Sequence, residues 1–261
     1  MSRSIAAAPS RRHEMPAPDR PRCFLALFAA ALALPCPVAR AEDPISLLYT
    51  ERPPFAITEP DGTVRGVVAT PAAEALQRAG IPFSWETIPT NRSLFEIREN
   101  RGRFCGLGWY MTPERAEFAR FSEPISQDGP LVALAGRSYR DTPPGTFEAL
   151  LHDNTIRFVL KTGVLYTTAA SSLLDTAKIR ARWTTDGWPQ IVQLVAEQNY
   201  DMTLVIEEEA DFYVESGRFQ PGDLRILRFP ELPGGELRRL MCSKQVDEQT
   251  LSAFNAALKQ R

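Results

Sequence analysis

The sequence is poor in the residues that most often carry catalysis or hold metal ions. It has only two histidines, His13 and His152, and four cysteines, and these do not cluster at the spacings of zinc sites. No Ser-His-Asp set and no glycine-rich phosphate loop is found. The sequence therefore predicts no metal, no cofactor and no cofactor-dependent catalysis.

The sequence also lacks a strong excess of one charge. The formal net charge is −2, and 44% of the residues are apolar and 24% charged, which is typical of a folded protein rather than a disordered one. No run of lysine and arginine interleaved with aromatic residues is present, so nucleic acid is not an expected partner.

The apolar stretch over residues 23–38 is too short for a membrane-spanning helix, which needs roughly 20 apolar residues. Arginines precede it, and Ala39-Arg40-Ala41 follows it. This pattern is typical of a signal peptide with a small-x-small cleavage site. We predict that residues 1–41 are a signal peptide cleaved after Ala41. Met15 is an alternative start to Met1, because it gives a shorter leader.

Two cysteines, Cys105 and Cys242, remain after removal of this leader. An even pair in an oxidising compartment is first interpreted as a disulfide. The alternative, two buried free thiols, stays open, because the sequence does not show whether the two residues lie within bonding distance.

Short apolar runs alternate with amphipathic stretches from residue 45 onwards, which predicts a largely parallel α/β arrangement. A first unit has strands over 45–49, 83–88 and 104–107 and helices over 70–79 and 92–100. A second has strands over 131–135, 157–160 and 201–206 and helices over 146–151, 166–174 and 190–198. We predict a first lobe over residues 42–128, a second over 129–232, and a return segment, 233–261, that packs on the first. The return segment is predicted to have a strand over 237–242 and a helix over 247–259.

Several segments, in order and spacing, resemble the bacterial extracellular solute-binding proteins of family 3, the amino-acid-binding type. The resemblance begins with Pro53-Pro54-Phe55, Asp61-Gly62, Gly66, Thr112-Pro113-Glu114-Arg115 and Phe121-Ser122-Glu123-Pro124-Ile125. It continues through Leu160-Lys161-Thr162-Gly163, Asn199-Tyr200-Asp201 and residues 243–258. It implies a type II periplasmic binding fold, in which two α/β lobes joined by two hinge strands close on a ligand in the interlobe cleft. It also implies a periplasmic monomer that delivers an amino acid or related polar solute to an ABC-type importer.

The resemblance assigns Arg115 to the ligand carboxylate, which a guanidinium binds through two parallel hydrogen bonds. The alternative is a surface arginine paired with Glu114 or Glu117. Tyr110 stands where relatives carry a small hydroxyl residue and would fill space in the cleft. Trp109 would stack on the ligand or, alternatively, belong to the core.

The first loop and the second lobe supply the other candidate ligand contacts. The resemblance makes Phe55 an aromatic lid. Arg52 would add a second positive charge for a ligand with more than one acidic group, or would pair with Glu51 in solvent. Gly163, Val164 and Leu165 would offer backbone donors at a helix start.

The position where relatives carry an aspartate for the ligand's ammonium group is occupied by Ile206 in this sequence. Glu207 could replace that aspartate, or Glu207, Glu208 and Glu209 could be the solvated start of a helix. A carboxylate ligand without an amine is the alternative to an α-amino acid, because an ammonium group buried without a carboxylate is unfavourable.

Two other classes of function remain open from the sequence. Some enzymes, such as the cyclohexadienyl dehydratases, share this resemblance, and Glu207 would be the candidate acid or base. A protein that presents its ligand to a separate receptor is the second alternative. We expect a binding protein that is not an enzyme.

Overall fold

The computed structural model describes residues 43–139, 145–177, 179–232 and 234–260. The predicted signal peptide and its cleavage site lie outside these ranges. Residues 41–261 group into one compact unit, to which all the elements below belong. None of the helices in the described ranges has the length and hydropathy needed to cross a membrane.

The described residues form strands and helices that alternate over most of the chain. The strands are β1 (Ile45–Tyr49), β2 (Ile57–Thr58), β3 (Val64–Arg65), β4 (Phe83–Thr87), β5 (Phe104–Tyr110), β6 (Arg120–Phe121), β7 (Ser126–Gln127), β8 (Leu131–Gly136), β9 (Phe158–Lys161), β10 (Ala181–Thr184), β11 (Met202–Ile206), β12 (Leu224–Arg228) and β13 (Leu237–Cys242). The helices are α1 (Ala69–Arg78), α2 (Thr90–Glu99), α3 (Pro113–Phe118), α4 (Phe147–His152), α5 (Thr168–Ala177), α6 (Trp188–Ala196), α7 (Glu207–Glu215) and α8 (Glu248–Leu258).

Several helices start where the sequence supplies a side chain that accepts a hydrogen bond. The side-chain oxygens of Thr112, Thr146 and Asp247 accept from the backbone N–H three residues later, at 3.2, 3.1 and 2.7 Å. These bonds satisfy N–H groups that have no partner in the first helical turn. Local sequence therefore determines where α3, α4 and α8 begin.

The first sheet has the order β4-β1-β5-β13-β6, with β7 also paired to β13. β4, β1 and β5 are parallel, whereas β13 is antiparallel to its three partners. Helix α8, which follows β13, packs against α1. The C-terminal segment is thus part of the layer built by the first third of the chain.

The second sheet has the order β10-β9-β11-β8-β12. β10, β9 and β11 are parallel, whereas β8 and β12 run antiparallel to their neighbours. Every residue of β8 and β11 is buried, as is usual for strands covered on both faces. Helix α6 packs against β8, β9 and β11 and buries the side chains of Trp188, Ile191 and Val195.

Two chain segments connect the sheets, one over residues 128–130 and one whose described residues are 229–232 and 234–236. Residues 128 and 234–236 lie side by side. The backbone N–H of Gly235 donates to Asp128 O at 2.8 Å, and Asp128 N–H donates to Glu236 O at 2.9 Å. A Cβ atom on Gly234 would lie 2.6 Å from the carbonyl carbon of Gly129, so only glycine allows this approach. The α/β class with two sheets and two crossing connections confirms the predicted fold class.

Cys105 and Cys242 are directly opposite each other on β5 and β13 and form a disulfide. Both are fully buried. The bond joins residues 137 positions apart in the sequence, so it ties the C-terminal strand to the middle of the first sheet.

Candidate functional site

A cleft with an empty volume of about 790 Å³, continuous with solvent, lies between the two sheets. It is located at the carboxyl ends of β1, β5 and β9, where open α/β sheets bind ligands. Of the nine predicted ligand contacts, eight line this cleft: Arg52, Phe55, Trp109, Tyr110, Arg115, Gly163, Val164 and Leu165.

Strand β5 is longer than the sequence predicts, and it includes two of the cleft residues, Trp109 and Tyr110. It continues to Tyr110, whereas the prediction ends at residue 107. Trp109 and Tyr110 are therefore strand residues and not part of a turn. Gly106 and Gly108 interrupt the apolar pattern, and Gly108 has φ +72°, so the pattern alone ends the strand too early.

Arg115 lies in the first turn of α3, and its guanidinium folds back over the end of β5. One of its N–H groups, on Nη1, donates to Tyr110 O at 2.8 Å, and the guanidinium carbon lies 4.7 Å from the centroid of the Trp109 ring. Within the described ranges it has no carboxylate partner; Glu114 pairs with Arg98 instead. Burial lowers the pKa of Arg115. Its remaining N–H groups are therefore available to an anion in the cleft.

Lys161 is the last residue of β9 and lines the same cleft as Arg115. It is buried, and its ammonium group donates to Asp186 O at 2.6 Å and to Thr185 O at 3.4 Å. No side-chain carboxylate among the described residues pairs with it. Burial, and then the charge of Arg52, lower its pKa. The sequence prediction omits Lys161 as a ligand contact. A lysine at the end of a buried strand, just before the Gly163 turn, could have indicated one.

Arg52 pairs with Glu209 of α7 and not with Glu51. Its Nε donates to Oε1 at 2.7 Å and its Nη2 to Oε2 at 2.9 Å. The guanidinium carbon also lies 5.1 Å from the centroid of the Trp188 ring. Burial lowers the pKa of Arg52, but attraction to Glu209 outweighs it, so that the pKa lies above the ordinary value. Glu51 accepts hydrogen bonds from Thr58.

Arg238 of β13 completes a buried network that the sequence prediction misses. Its Nε donates to Asp128 at 2.6 Å, and its Nη2 donates to the hydroxyl of Tyr110 at 3.2 Å. That hydroxyl in turn donates to Asp128. Burial is the main reason that the pKa of Tyr110 is raised, so the phenol stays protonated. The guanidinium carbon of Arg238 lies 4.0 Å from the centroid of the Phe55 ring.

Glu207 does not line the cleft, which corrects its predicted role as a ligand contact. Strand β11 ends at Ile206 and α7 begins at Glu207, whose carboxylate accepts a hydrogen bond from Arg228. Successive helical residues point about 100° apart, so the three glutamates face different neighbours. Glu208 accepts from Gly129 N–H at 2.8 Å, and only Glu209 turns toward Arg52.

The cleft lining carries an excess of positive charge. Four of its side chains are cationic: Arg52, Lys161, Arg238 and Arg115. Glu209 neutralises Arg52, and Asp128 neutralises Arg238. No lining residue of the described chain is an aspartate, a glutamate or a histidine. Arg115 and Lys161 therefore retain charge that a ligand can neutralise.

Helix α2 adds polar groups to the same cleft. Ser93 lines it and is 3% exposed, and no hydrogen-bond partner of its hydroxyl lies among the described residues. The hydroxyl of Thr50 donates to Ile88 O at 2.9 Å, close to Thr90. A buried hydroxyl without a partner is unfavourable, so a ligand or water at Ser93 would satisfy it.

Comparisons with known proteins agree with the fold described above. The sequence model of the bacterial extracellular solute-binding proteins, family 3, matches residues 47–260. The holo form of ArgBP from T. maritima superimposes with a TM-score of 0.65 at 19% identity, covering 83% of this chain and 89% of that one. An ancestral amino acid-binding protein, a precursor of cyclohexadienyl dehydratase, gives 0.64 at 18% identity, covering 83% and 88%. The substrate binding protein of an amino acid ABC transporter gives 0.64 at 16% identity, covering 83% and 92%. A search of curated protein sequences returns no match.

Proposed function

Because the chain belongs to the bacterial extracellular solute-binding proteins of family 3, we propose that it captures a small carboxylate-bearing solute in the cleft between its two sheets. The observation that carries this proposal is Arg115. Its guanidinium lines the cleft, and among the described residues only a backbone carbonyl accepts a hydrogen bond from it. A ligand carboxylate would accept two parallel hydrogen bonds from it.

Closure of two lobes around the ligand is the motion that we propose for this function. The first lobe would comprise residues 42–128 with the return segment 233–261, and the second lobe residues 129–232. The neighbouring connections at 128–130 and at 229–232 and 234–236 would form the hinge, since few residues link the sheets there. The Arg52–Glu209 ion pair joins residues of the two lobes and supports a closed state.

Binding without turnover is the better-supported activity. Acid–base catalysis needs a positioned group that exchanges a proton near neutral pH, and no carboxylate or imidazole lines the described part of the cleft. Glu207, the sequence-based candidate for that role, lies on the other side of α7 with Arg228. One structural neighbour is the precursor of a dehydratase, so an assay for ligand turnover belongs with the binding measurement.

Export to the periplasm and delivery to an ABC-type importer complete the proposal. The family is described as bacterial extracellular solute-binding proteins, and one structural neighbour is the substrate binding protein of an amino acid ABC transporter. Both descriptions support this part of the proposal. Presentation of the ligand to a separate receptor is the alternative. We expect a monomer, as the resemblance implies.

A thermal-shift screen of the mature protein tests the proposal. The panel contains neutral, acidic and basic amino acids, monocarboxylates, dicarboxylates and uncharged sugars. A ligand that binds only the folded state raises the unfolding temperature. We expect a shift with one group of carboxylates and none with the sugars. Shifts with uncharged solutes alone, or release of a new product from a bound carboxylate, would contradict it.

A further inference from the structure

We infer that the ligand of this cleft is a small dicarboxylate without an ammonium group, held between Arg115 and Lys161. This inference rests on the proposed function and adds the chemical class of the ligand. It follows from the charges that line the cleft and from the groups that already neutralise them.

Arg115 and Lys161 come from different sheets. Arg115 is positioned by α3 beside β5, and Lys161 ends β9 of the second sheet. Lys161 is buried and Arg115 is half-buried, and within the described chain the guanidinium and the ammonium group donate hydrogen bonds only to backbone carbonyls. A buried cation without a counter-ion is unfavourable. An anion with a carboxylate at each end would neutralise both and connect the two sheets.

An ammonium group on the ligand would find no carboxylate among the described residues that line the cleft. Asp186 attracts the charge of Lys161 but is exposed and does not line the cleft. Asp128 accepts hydrogen bonds from Arg238 and Tyr110, and both oxygens of Glu209 accept from Arg52. Neither carboxylate lines the cleft directly. A ligand ammonium would therefore add a third unpaired positive charge beside Arg115 and Lys161, which lowers affinity by desolvation and by repulsion.

Arg52 occupies the place that suits a ligand cation. Its guanidinium carbon lies 5.1 Å from the Trp188 ring centroid and 5.3 Å from that of Phe55, with the fully buried Glu209 as counter-ion. Two aromatic faces and a carboxylate form the environment that attracts cations. Because the protein's own arginine fills this environment, the ligand needs only negative charge.

Matched ligands that differ in a single group test the inference by titration calorimetry. The five-carbon set is glutarate, glutamate and pentanoate; the four-carbon set is succinate, aspartate and butanoate. Within at least one set we expect the dicarboxylate to bind about tenfold or more tightly than its amino counterpart and than the monocarboxylate. Amino acids that bind as tightly as the matching dicarboxylates would overturn the inference and leave the proposed function standing. No binding by any carboxylate would overturn both.

The variant Lys161→Met separates a charge effect from a packing effect, since methionine is similar in shape but neutral. We expect it to weaken dicarboxylate binding about tenfold or more while the affinity for the monocarboxylate of equal length changes little. Equal losses for both ligands would assign Lys161 a structural role and contradict the inference. Thermal unfolding of the ligand-free variant shows whether it folds.

Discussion

Arg52 and Glu209, which are 157 residues apart in the sequence, form a two-point ion pair across the cleft. Arg52 belongs to the loop after β1, and Glu209 to α7 beside the second sheet. The Glu209 side chain is fully buried, whereas that of Arg52 is 22% exposed. The pair therefore connects the two sides of the cleft and neutralises one of its cations.

We expect Arg52→Ala to destabilise the protein by about 3–5 kcal/mol, because Glu209 would stay buried without a counter-ion. The double variant Arg52→Ala with Glu209→Gln should be less destabilised than the single one, since no charge is left unpaired. Urea unfolding measures both. Arg101→Ala is the control. Arg101 pairs with Glu99 at the protein surface, and a surface ion pair contributes about 0–1 kcal/mol to stability. A double variant as unstable as Arg52→Ala, or more so, would contradict the account.

Arg115→Ala should abolish carboxylate binding while the protein remains folded. The change removes a cation whose hydrogen-bond capacity is largely unused by the described residues, and losing a charged two-point contact costs several kcal/mol. Calorimetry with the carboxylate that gives the largest thermal shift measures the effect. Arg101→Ala again serves as the control. Unchanged affinity in Arg115→Ala would remove this residue from the site.

Ligand affinity should fall at alkaline pH because of Lys161. Burial, and then the nearby Arg52, lower the pKa of its ammonium group from 10.5. Below this lowered pKa the group is charged and attracts a dicarboxylate; as the pH rises through it, the charge and the affinity are lost. The dissociation constant for glutarate, measured from pH 7 to 10, should rise in wild type. Lys161→Met should lack this pH dependence; a rise of the same size in both proteins would assign it to another group.

The same lowered pKa has the opposite effect on folding stability. Between the lowered pKa and 10.5, the unfolded chain keeps the Lys161 proton that the folded protein has lost. The contribution of this group to the free energy of unfolding therefore increases with pH across that window. Urea unfolding of the ligand-free protein and of Lys161→Met, compared over the same pH range, isolates this contribution; a decrease in the difference would contradict the sign.

Removal of the disulfide should lower stability without changing the cleft. Cys105 and Cys242 close a loop of more than 100 residues, and loss of a native disulfide typically costs about 2–5 kcal/mol. Urea unfolding of the protein with both cysteines replaced by serine, compared with wild type, gives the difference. Affinity for the ligand should be retained wherever the variant is folded. Equal stability of the two proteins would show that the bond does not constrain the unfolded chain.

Much of the fold follows from local sequence patterns. The strand over Leu237–Cys242 has the predicted bounds, and the prediction for α8 differs by one residue at each end. Strand β12 is absent from the prediction, whereas a helix that starts at Glu207 is one of the two alternatives that the sequence leaves open. The start of α7 is Glu207-Glu208-Glu209, which is typical of a solvated segment. Only its pairing with Arg52 in three dimensions explains why Glu209 is buried.

The site could be predicted where a motif marks the residue and not where a distant partner decides its role. The resemblance around Thr112 identifies Arg115. It does not identify Arg238, because the burial of Arg238 depends on Asp128, 110 residues away in the sequence. The sequence points to Glu207 because it is next to Ile206, and it gives no sign that the helix starting there turns Glu209 toward Arg52.

A crystal structure with the tightest-binding carboxylate of the screen would test the central claim most directly. The account predicts that the ligand lies between the two sheets, with one carboxylate within hydrogen-bonding distance of the Arg115 guanidinium and the other beside the Lys161 ammonium group. A ligand bound outside the cleft, or one whose carboxylates contact neither residue, would contradict it.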